Sequence, residues 1–233
     1  MMLGTAAAML NRRRANEGDV PAGATWHLNF IDKVYYAGGS FHTAAQVLGG
    51  SFVLGAIGPT GMDTTADNQP TNRPEAIGDL LADLVDGFAA GFTFVVEIEG
   101  TIDGTFLEFI DNADPNLANN GAEAWAQSHV SIDDWNSLFI LGPTTPLTDQ
   151  IHRIAYTFYR GIGGGLFESA VSINGGAAST DTTNYGGTWF TPITVGVLTA
   201  WDIGAYNYGW VCRSITGYPA KPSTDLPALS ALT

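Results

Sequence analysis

From Phe92 onward the sequence alternates apolar and polar residues with a period of two, the repeat of side chains along a β-strand. The run FTFVVEIE shows this best, because one of its faces carries only apolar side chains: Phe92, Phe94, Val96 and Ile98. The opposite face carries Thr93, Val95, Glu97 and Glu99. A strand of this kind buries one face and solvates the other, so the run predicts an antiparallel sheet with the apolar set facing the core.

Further runs of the same kind follow, and tight-turn sequences separate them. The predicted strands are TFLEFI, SLFIL, HRIAYTFY, LFESAVSI, TPITVGVL and NYGWVCRSI. The NGG after Ile173 predicts a tight hairpin, because Asn and Gly accept positive φ. The chain has 29 glycines and only 14% charged residues, which suits short strands joined by turns. We therefore predict a mainly β fold, an antiparallel jelly-roll β-sandwich with one or two short helices.

The first third of the chain divides into a tail and the entry to the sandwich. Residues 1–19 are mainly small residues and arginines and are predicted to be a docking tail, whereas residues 20–233 are predicted to form the β-sandwich domain. Trp26, Leu28 and Phe30 alternate with polar residues, which predicts a strand. A helix is predicted near residues 74–86, because proline opens this run and a glycine follows it.

The charge distribution argues against binding to nucleic acid or anionic lipid. The net charge is −14, all 23 acidic residues follow Arg14, and no Lys or Arg lies between Arg73 and Arg153. The basic run is predicted to dock the tail on acidic groups of a partner, a solvated tail being the alternative: Arg12, Arg13 and Arg14. Positive charges follow the N-terminal apolar run instead of preceding it, unlike a signal peptide. No apolar run reaches the roughly 20 residues that span a membrane.

Few side chains are candidates for catalysis or metal binding. Glu97 and Glu99 are two residues apart and share a strand face, as paired acids of a glycoside hydrolase would, or they are simply a solvated face. The oxygen-rich segment 111–120 could hold calcium, although it lacks the EF-hand pattern. The four histidines are predicted to be strand or turn residues, and the single cysteine, Cys212, a core residue. We expect no enzymatic activity, no cofactor and no metal.

Aromatic residues concentrate between positions 189 and 210, with polar residues among them. Sugars stack their C–H faces on aromatic rings, while Asp and Asn accept hydrogen bonds from sugar hydroxyls. These residues are therefore candidates for glycan contact, or alternatively for the core or a subunit interface: Trp189, Trp201, Asp202, Tyr206, Asn207, Tyr208 and Trp210.

The order of several segments is itself informative: WHLNFIDKVYYAGG, FTFVVEIE, HRIAYTF, VSINGG, ITVG, ITGYP and PALSALT. This order, over residues 25–60 and 92–233, resembles the laminin-G-like or concanavalin-like jelly roll of tailed-bacteriophage structural proteins. The resemblance implies a fibre, spike or decoration protein that binds glycans or neighbouring subunits. Members of that group end in a helix-like segment, and the prolines of KPSTDLPALS disfavour that helix here.

The resemblance and the residues together predict a non-enzymatic structural protein of a phage virion, a tail or head fibre, spike or decoration subunit. It would assemble with itself, as a homotrimer, and would join other virion proteins through residues 1–19. It would also contact host-surface glycan, without binding nucleic acid or inserting into a membrane. The alternatives are a secreted concanavalin-like glycoside hydrolase and a free carbohydrate-binding module.

Overall fold

The computed structural model describes residues 20–43, 57–63, 91–100, 104–111, 121–126, 130–134, 137–139, 150–162, 166–181, 198–203 and 210–232. The strands within these ranges are β1 (Trp26–Asn29), β2 (Val34–Ala37), β3 (Ser40–His42), β4 (Ile57–Gly58), β5 (Gly61–Asp63), β6 (Gly91–Gly100), β7 (Gly104–Asp111), β8 (Gly121–Ala126), β9 (Val130–Asp134), β10 (Ser137–Phe139), β11 (Ile151–Ile162), β12 (Leu166–Ile173), β13 (Ser179–Asp181), β14 (Leu198–Ile203) and β15 (Trp210–Pro219). A 3-10 turn at Ser223–Asp225 leads into a short helix, α1 (Leu226–Ser230).

The described strands form two antiparallel sheets. The larger sheet has ten strands and runs β13-β12-β11-β6-β15-β1-β2-β3, with β5 also pairing with β15 and β4 with β5. The smaller sheet has five strands in the order β10-β9-β8-β7-β14. This confirms the predicted mainly β, antiparallel fold, a jelly-roll β-sandwich with a short helix.

Two crossovers between the sheets give the fold its jelly-roll character. The chain leaves the larger sheet after β6, builds β7 to β10 in the smaller sheet, and returns as β11 beside β6. It leaves again after β13, places β14 beside β7, and returns as β15 on the other side of β6. Strands distant in sequence therefore become neighbours, which is the Greek-key arrangement of such sandwiches.

The alternation in β6 places the described core-face side chains as predicted, whereas Thr93 and Val95 on the predicted solvated face are also buried. Phe94, Val96 and Ile98 are fully buried on the core face, and Phe94 stacks on Tyr156 of β11 with ring centroids 4.9 Å apart. Cys212 of β15 is buried beside them, opposite Ile98 in the strand register, so the prediction of a core cysteine is confirmed. The predicted strand at Trp26 is β1, and Trp26, Leu28 and Phe30 are buried.

Residues 220–232 partly cover the outer face of the larger sheet, and we call them the C-terminal strap. Leu226 of α1 is buried against Val95, Ala155, Ala170 and Tyr218, all from this outer face. The expectation that prolines would disfavour a helix here is wrong, because Pro227 lies in the first turn of α1. A proline in the first turn removes no helical hydrogen bond, since those N–H groups have no partner within the helix.

Several predicted elements lie outside the described residues: the helix near 74–86, the tail at 1–19 and most of the run TPITVGVL, of which only Leu198 opens β14. In the part of the chain that the structure describes, no helix has the length and apolar character needed to cross a membrane.

Candidate functional site

Three of the predicted glycan-contact residues lie where the chain crosses from the smaller sheet to the larger one. Trp201 and Asp202 belong to β14 and pair with Phe109 and Glu108 of β7. Trp210 is the first residue of β15 and pairs with Gly100, the last residue of β6. For these three residues the structure describes which strand each belongs to and which residue it pairs with. The remaining candidates, Trp189, Tyr206, Asn207 and Tyr208, lie outside the described residues, as do Arg12, Arg13 and Arg14.

The strand register pairs the end of β6 with the start of β15 in the larger sheet, and the end of β14 with β7 in the smaller sheet. Segment 101–103 joins β6 to β7, and segment 204–209 joins β14 to β15. Because β15 pairs with β6 and β14 pairs with β7, the described strand ends have neighbours across the sheets: Trp210 lies opposite Gly100, and Ile203 lies opposite Leu107. We call these described strand ends the crossover end, defined by Gly100, Gly104, Ile203 and Trp210. In the sequence, segment 204–209 joins Ile203 to Trp210 and carries aromatic and amide residues predicted for glycan contact.

A charged cluster lies on the outer face of the larger sheet and includes both acids of β6. Arg213 donates from Nε to Glu97 Oε1 at 2.9 Å and from Nη1 to Glu99 Oε2 at 2.7 Å. Arg153 of β11 lies farther away, with its Nη1 at 3.9 Å from Glu97 Oε2. The predicted shared face of Glu97 and Glu99 is confirmed by their common partner. One guanidinium therefore bridges two carboxylates on a single strand.

A β-bulge explains why Arg213 can reach both acids. The pairing of β15 with β6 shifts between Cys212, which lies opposite Ile98, and Ser214, which lies opposite Glu97. Arg213 is the extra residue, and such a residue departs from strict alternation. Burial disfavours the charged guanidinium, but the hydrogen bonds to Glu97 and then Glu99 outweigh it, so the pKa of Arg213 rises above its ordinary value.

This cluster does not have the organisation of a hydrolytic acid pair. A glycosidase needs one carboxyl group to give a proton and another to act as nucleophile or base on opposite sides of the sugar. Here one oxygen of each carboxylate already accepts a hydrogen bond from the same arginine, and the two acids stand side by side. Their side chains are 24% and 42% exposed. The arrangement suits a structural ion-pair network.

His27 lies on the same outer face, one strand away from β15. Its Nδ1 shares a hydrogen bond of 2.8 Å with Thr216 Oγ1, and the side chain is buried. Burial first, and then the positive charge of Arg153, lower the pKa of His27 to about 4, although Asp32 acts in the opposite sense. The imidazole is therefore neutral at pH 7. His27, His42 and His152 all lie in strands, as predicted.

The C-terminal strap is fixed on the outer face of the larger sheet, beside the charged cluster, by two hydrogen-bond networks. In the first, Lys221 N–H donates to Thr93 Oγ1 at 2.9 Å, and Thr157 donates from Oγ1 to Lys221 O at 2.6 Å. In the second, Arg153 donates from Nε to Leu229 O at 2.9 Å, and the hydroxyls of Ser172 and Ser230 lie 2.8 Å apart. A ligand therefore has no access to the sheet surface under the strap.

The sequence alone does not identify Arg213, Arg153 or the strap as parts of this face. The bridge follows from a basic residue in β15 and two alternating acids in β6. It can be predicted only when the pairing of these two strands is known, and the sequence does not show that pairing. Of segment 111–120, considered for calcium, only Asp111 is described, as the last residue of β7, and residues 112–120 lie outside the described residues.

No family model matches the chain, and no curated protein matches it. Among solved structures, it is similar to the CBM40 module of the Ruminococcus gnavus IT-sialidase, at 13% identity over 66% of this chain and 89% of the module, with a TM-score of 0.48. It is also similar to the leech intramolecular trans-sialidase, at 14% identity over 71% of this chain and 25% of that enzyme, with a TM-score of 0.45. The tail fibre protein gp63.1 of an E. coli phage matches at 14% identity over 57% of this chain and 15% of the fibre, with a TM-score of 0.34. None of these likenesses assigns a function to this chain.

Proposed function

We propose that this chain is a non-enzymatic subunit of a phage virion that contacts host-surface glycan through the crossover end of its sandwich. The observation that supports the glycan part is the strand pairing at the crossover end: Trp201 and Asp202 lie in β14, which precedes segment 204–209 in the sequence, and Trp210 is the first residue of β15, which follows it. That segment contributes Tyr206, Asn207 and Tyr208 from the sequence. Aromatic rings beside carboxylate and amide oxygens are the groups that bind the apolar face and the hydroxyls of a sugar.

The charged cluster supports the non-enzymatic part of the proposal. Glu97 and Glu99, the candidate acid pair of a hydrolase, are both held by Arg213, and the neighbouring sheet surface lies under the strap. If Glu97 were a catalytic acid, the Glu97→Gln variant would lose a measurable release of reducing ends from polysaccharide. We expect no such release from either form, and a release that disappears in the variant would favour the hydrolase alternative.

The virion role includes self-assembly and docking through the tail. We expect a homotrimer, because fibre and decoration proteins are commonly symmetric oligomers. We expect residues 1–19 to attach the subunit to acidic groups of another virion protein, because the planar fork of arginine binds carboxylates well. Deleting residues 1–19 should leave a folded sandwich that no longer joins the particle, whereas replacement of Arg12, Arg13 and Arg14 by Glu should weaken attachment. Normal occupancy of the truncated protein on particles would refute tail docking.

Glycan contact can be tested with two tryptophan variants and a matched aromatic control. Trp201→Ala and Trp210→Ala should each weaken binding to a glycan identified on an array of neutral and acidic host-surface glycans, by about tenfold for a lost stacking contact. Phe41→Ala is the control, since Phe41 is 42% exposed on β3, away from the crossover end. Equal loss in all three variants, or no binding to any glycan by the intact chain, would count against the proposal.

A further inference from the structure

An Asn–Gly pair forms the turn that follows β12, next to the C-terminal strap. Asn174 and Gly175 have φ values of 50° and 76°, and the turn is closed by the N–H of Gly176, which donates to Ile173 O at 2.8 Å. Both central residues are exposed. This is the turn that the NGG sequence predicted, because two successive positive φ values favour Asn and Gly.

An asparagine followed by glycine is prone to lose its side-chain amide, because glycine has no Cβ to obstruct the approach of its backbone nitrogen. The Gly175 nitrogen gives its proton to hydroxide and forms a bond to Cγ of Asn174. The bond from Cγ to Nδ2 then breaks, and the nitrogen takes a proton from water, which regenerates hydroxide, and leaves as ammonia, so that a five-membered imide remains. Water opens the imide at either carbonyl and produces aspartate or isoaspartate, so water is the only co-reactant.

In this fold the attacking nitrogen is held by the strap. Gly175 N–H donates to Ser230 Oγ at 3.0 Å, and Ser230 Oγ lies 2.8 Å from Ser172 Oγ. Ser172 in turn donates to Gly176 O at 2.6 Å. The geometry therefore allows one continuous chain of donors that begins at the Gly175 N–H, and hydrogen bonds in such a chain strengthen one another.

The side chain that would be attacked is also held, on the opposite side, by β11. Asn174 Oδ1 accepts a hydrogen bond from the Arg153 N–H at 2.8 Å, and Nδ2 lies 3.2 Å from His152 Nδ1. The Asn174 N–H donates to Arg153 O at 2.9 Å. Rotation of the amide toward Gly175 would break these contacts.

We propose that Asn174 is a deamidation site that the C-terminal strap keeps unreactive in the folded protein, with Ser230 as the residue that holds the attacking nitrogen. Release of the strap frees the Gly175 nitrogen for attack. Deamidated Asn174 therefore indicates that the strap has opened in that molecule. An isoaspartate at 174 adds a methylene group to the backbone of the turn, and a strap that returned would not recover the same hydrogen bonds.

The test measures deamidation by peptide mass spectrometry in intact protein held at mildly alkaline pH. Ser230→Ala should raise the rate at Asn174 by about fivefold, the factor that corresponds to one neutral hydrogen bond of ~1 kcal/mol. Ser172→Ala is the matched control, because it removes a neighbouring hydroxyl but leaves the acceptor of the Gly175 N–H in place. Its rate should rise clearly less than that of Ser230→Ala, because the Gly175 N–H keeps its acceptor and loses only the strengthening from the next hydroxyl.

A second Asn–Gly pair, Asn120–Gly121, provides an internal reference in the same digest. Its rate should be the same in the unchanged chain and in Ser230→Ala, which would show that the variant acts at the strap and not by unfolding the protein. In urea, where the strap is released, Asn174 should react much faster than in the folded chain. Equal rates at Asn174 in folded and unfolded protein, or no change in Ser230→Ala, would overturn the proposal.

Discussion

The indole ring of Trp26 lies directly against the backbone of Gly217, its register partner across β1 and β15. A Cβ atom on residue 217 would overlap the atoms Cε2, Nε1 and Cζ2 of that ring. Both residues are buried, and the contact lies in the middle of the larger sheet. The ring thus fills the space that a side chain at position 217 would need, and only glycine allows β1 and β15 to pair at this spacing.

Replacing Gly217 by alanine should therefore destabilise the protein. We expect a loss of about 1–3 kcal/mol in the free energy of unfolding, the usual cost of forcing extra atoms into a packed core. Gly58→Ala is the matched control, because Gly58 is also a strand glycine with no positive φ and has only Gly61 O within 4 Å, at 3.9 Å. Urea unfolding measures the free energy of unfolding of both variants. Equal stability of the two variants would show that the indole can move away.

The buried imidazole of His27 should make stability depend on pH. Its pKa is about 4 in the folded chain, against an ordinary value of 6.5 in the unfolded chain. Between these values the unfolded chain binds a proton that the folded chain does not, so stability is lost as the pH falls from about 6.5 to about 4. The full loss is at most ~3 kcal/mol. Urea unfolding at several pH values measures it.

The variant His27→Asn separates this effect from that of the carboxylates. Asparagine keeps a polar group near Thr216 but does not titrate. The free energy of unfolding of the variant should therefore fall less over the same pH range than that of the unchanged chain. Parallel pH profiles for the variant and the unchanged chain would mean that His27 does not contribute.

Arg213 should stabilise the outer face through its bridge between Glu97 and Glu99. Arg213→Lys keeps the charge but loses the planar fork, and we expect the free energy of unfolding to fall by about 1 kcal/mol. The same substitution in a Glu97→Gln, Glu99→Gln background should cost less, because the bridge is already absent. High salt should reduce the difference. An identical cost in both backgrounds would mean that the two hydrogen bonds do not stabilise the fold.

The strands could be predicted from the sequence because their signal is local. In β6 the alternation of Phe94, Val96 and Ile98 fixes the core face, and Asn174 and Gly175 identify a tight turn by their chemistry. Alternation also implied that Val95 faces solvent, and it is buried by the strap. That burial depends on residues more than a hundred positions later in the chain, so no local pattern contains it.

The candidate site could be predicted only in part for the same reason. The composition of the sequence indicates Trp201 and Trp210, but their strand partners, Phe109 and Gly100, follow from the pairing of β14 with β7 and of β15 with β6. The role of Arg213 depends on a single-residue bulge, which shifts the register and has no sequence signature of its own.

The single thiol of Cys212 should report the opening of the core. The residue is fully buried, and burial first, then the charge of Glu97, raise the pKa of the thiol far above its usual range. The reactive thiolate is therefore scarce and inaccessible in the folded chain. A thiol reagent should label the native protein only at the rate at which the sheet opens, and should label it rapidly in urea. Gly217→Ala should accelerate native labelling, whereas Gly58→Ala should not. Rapid labelling of the unchanged native protein would contradict the core position of Cys212.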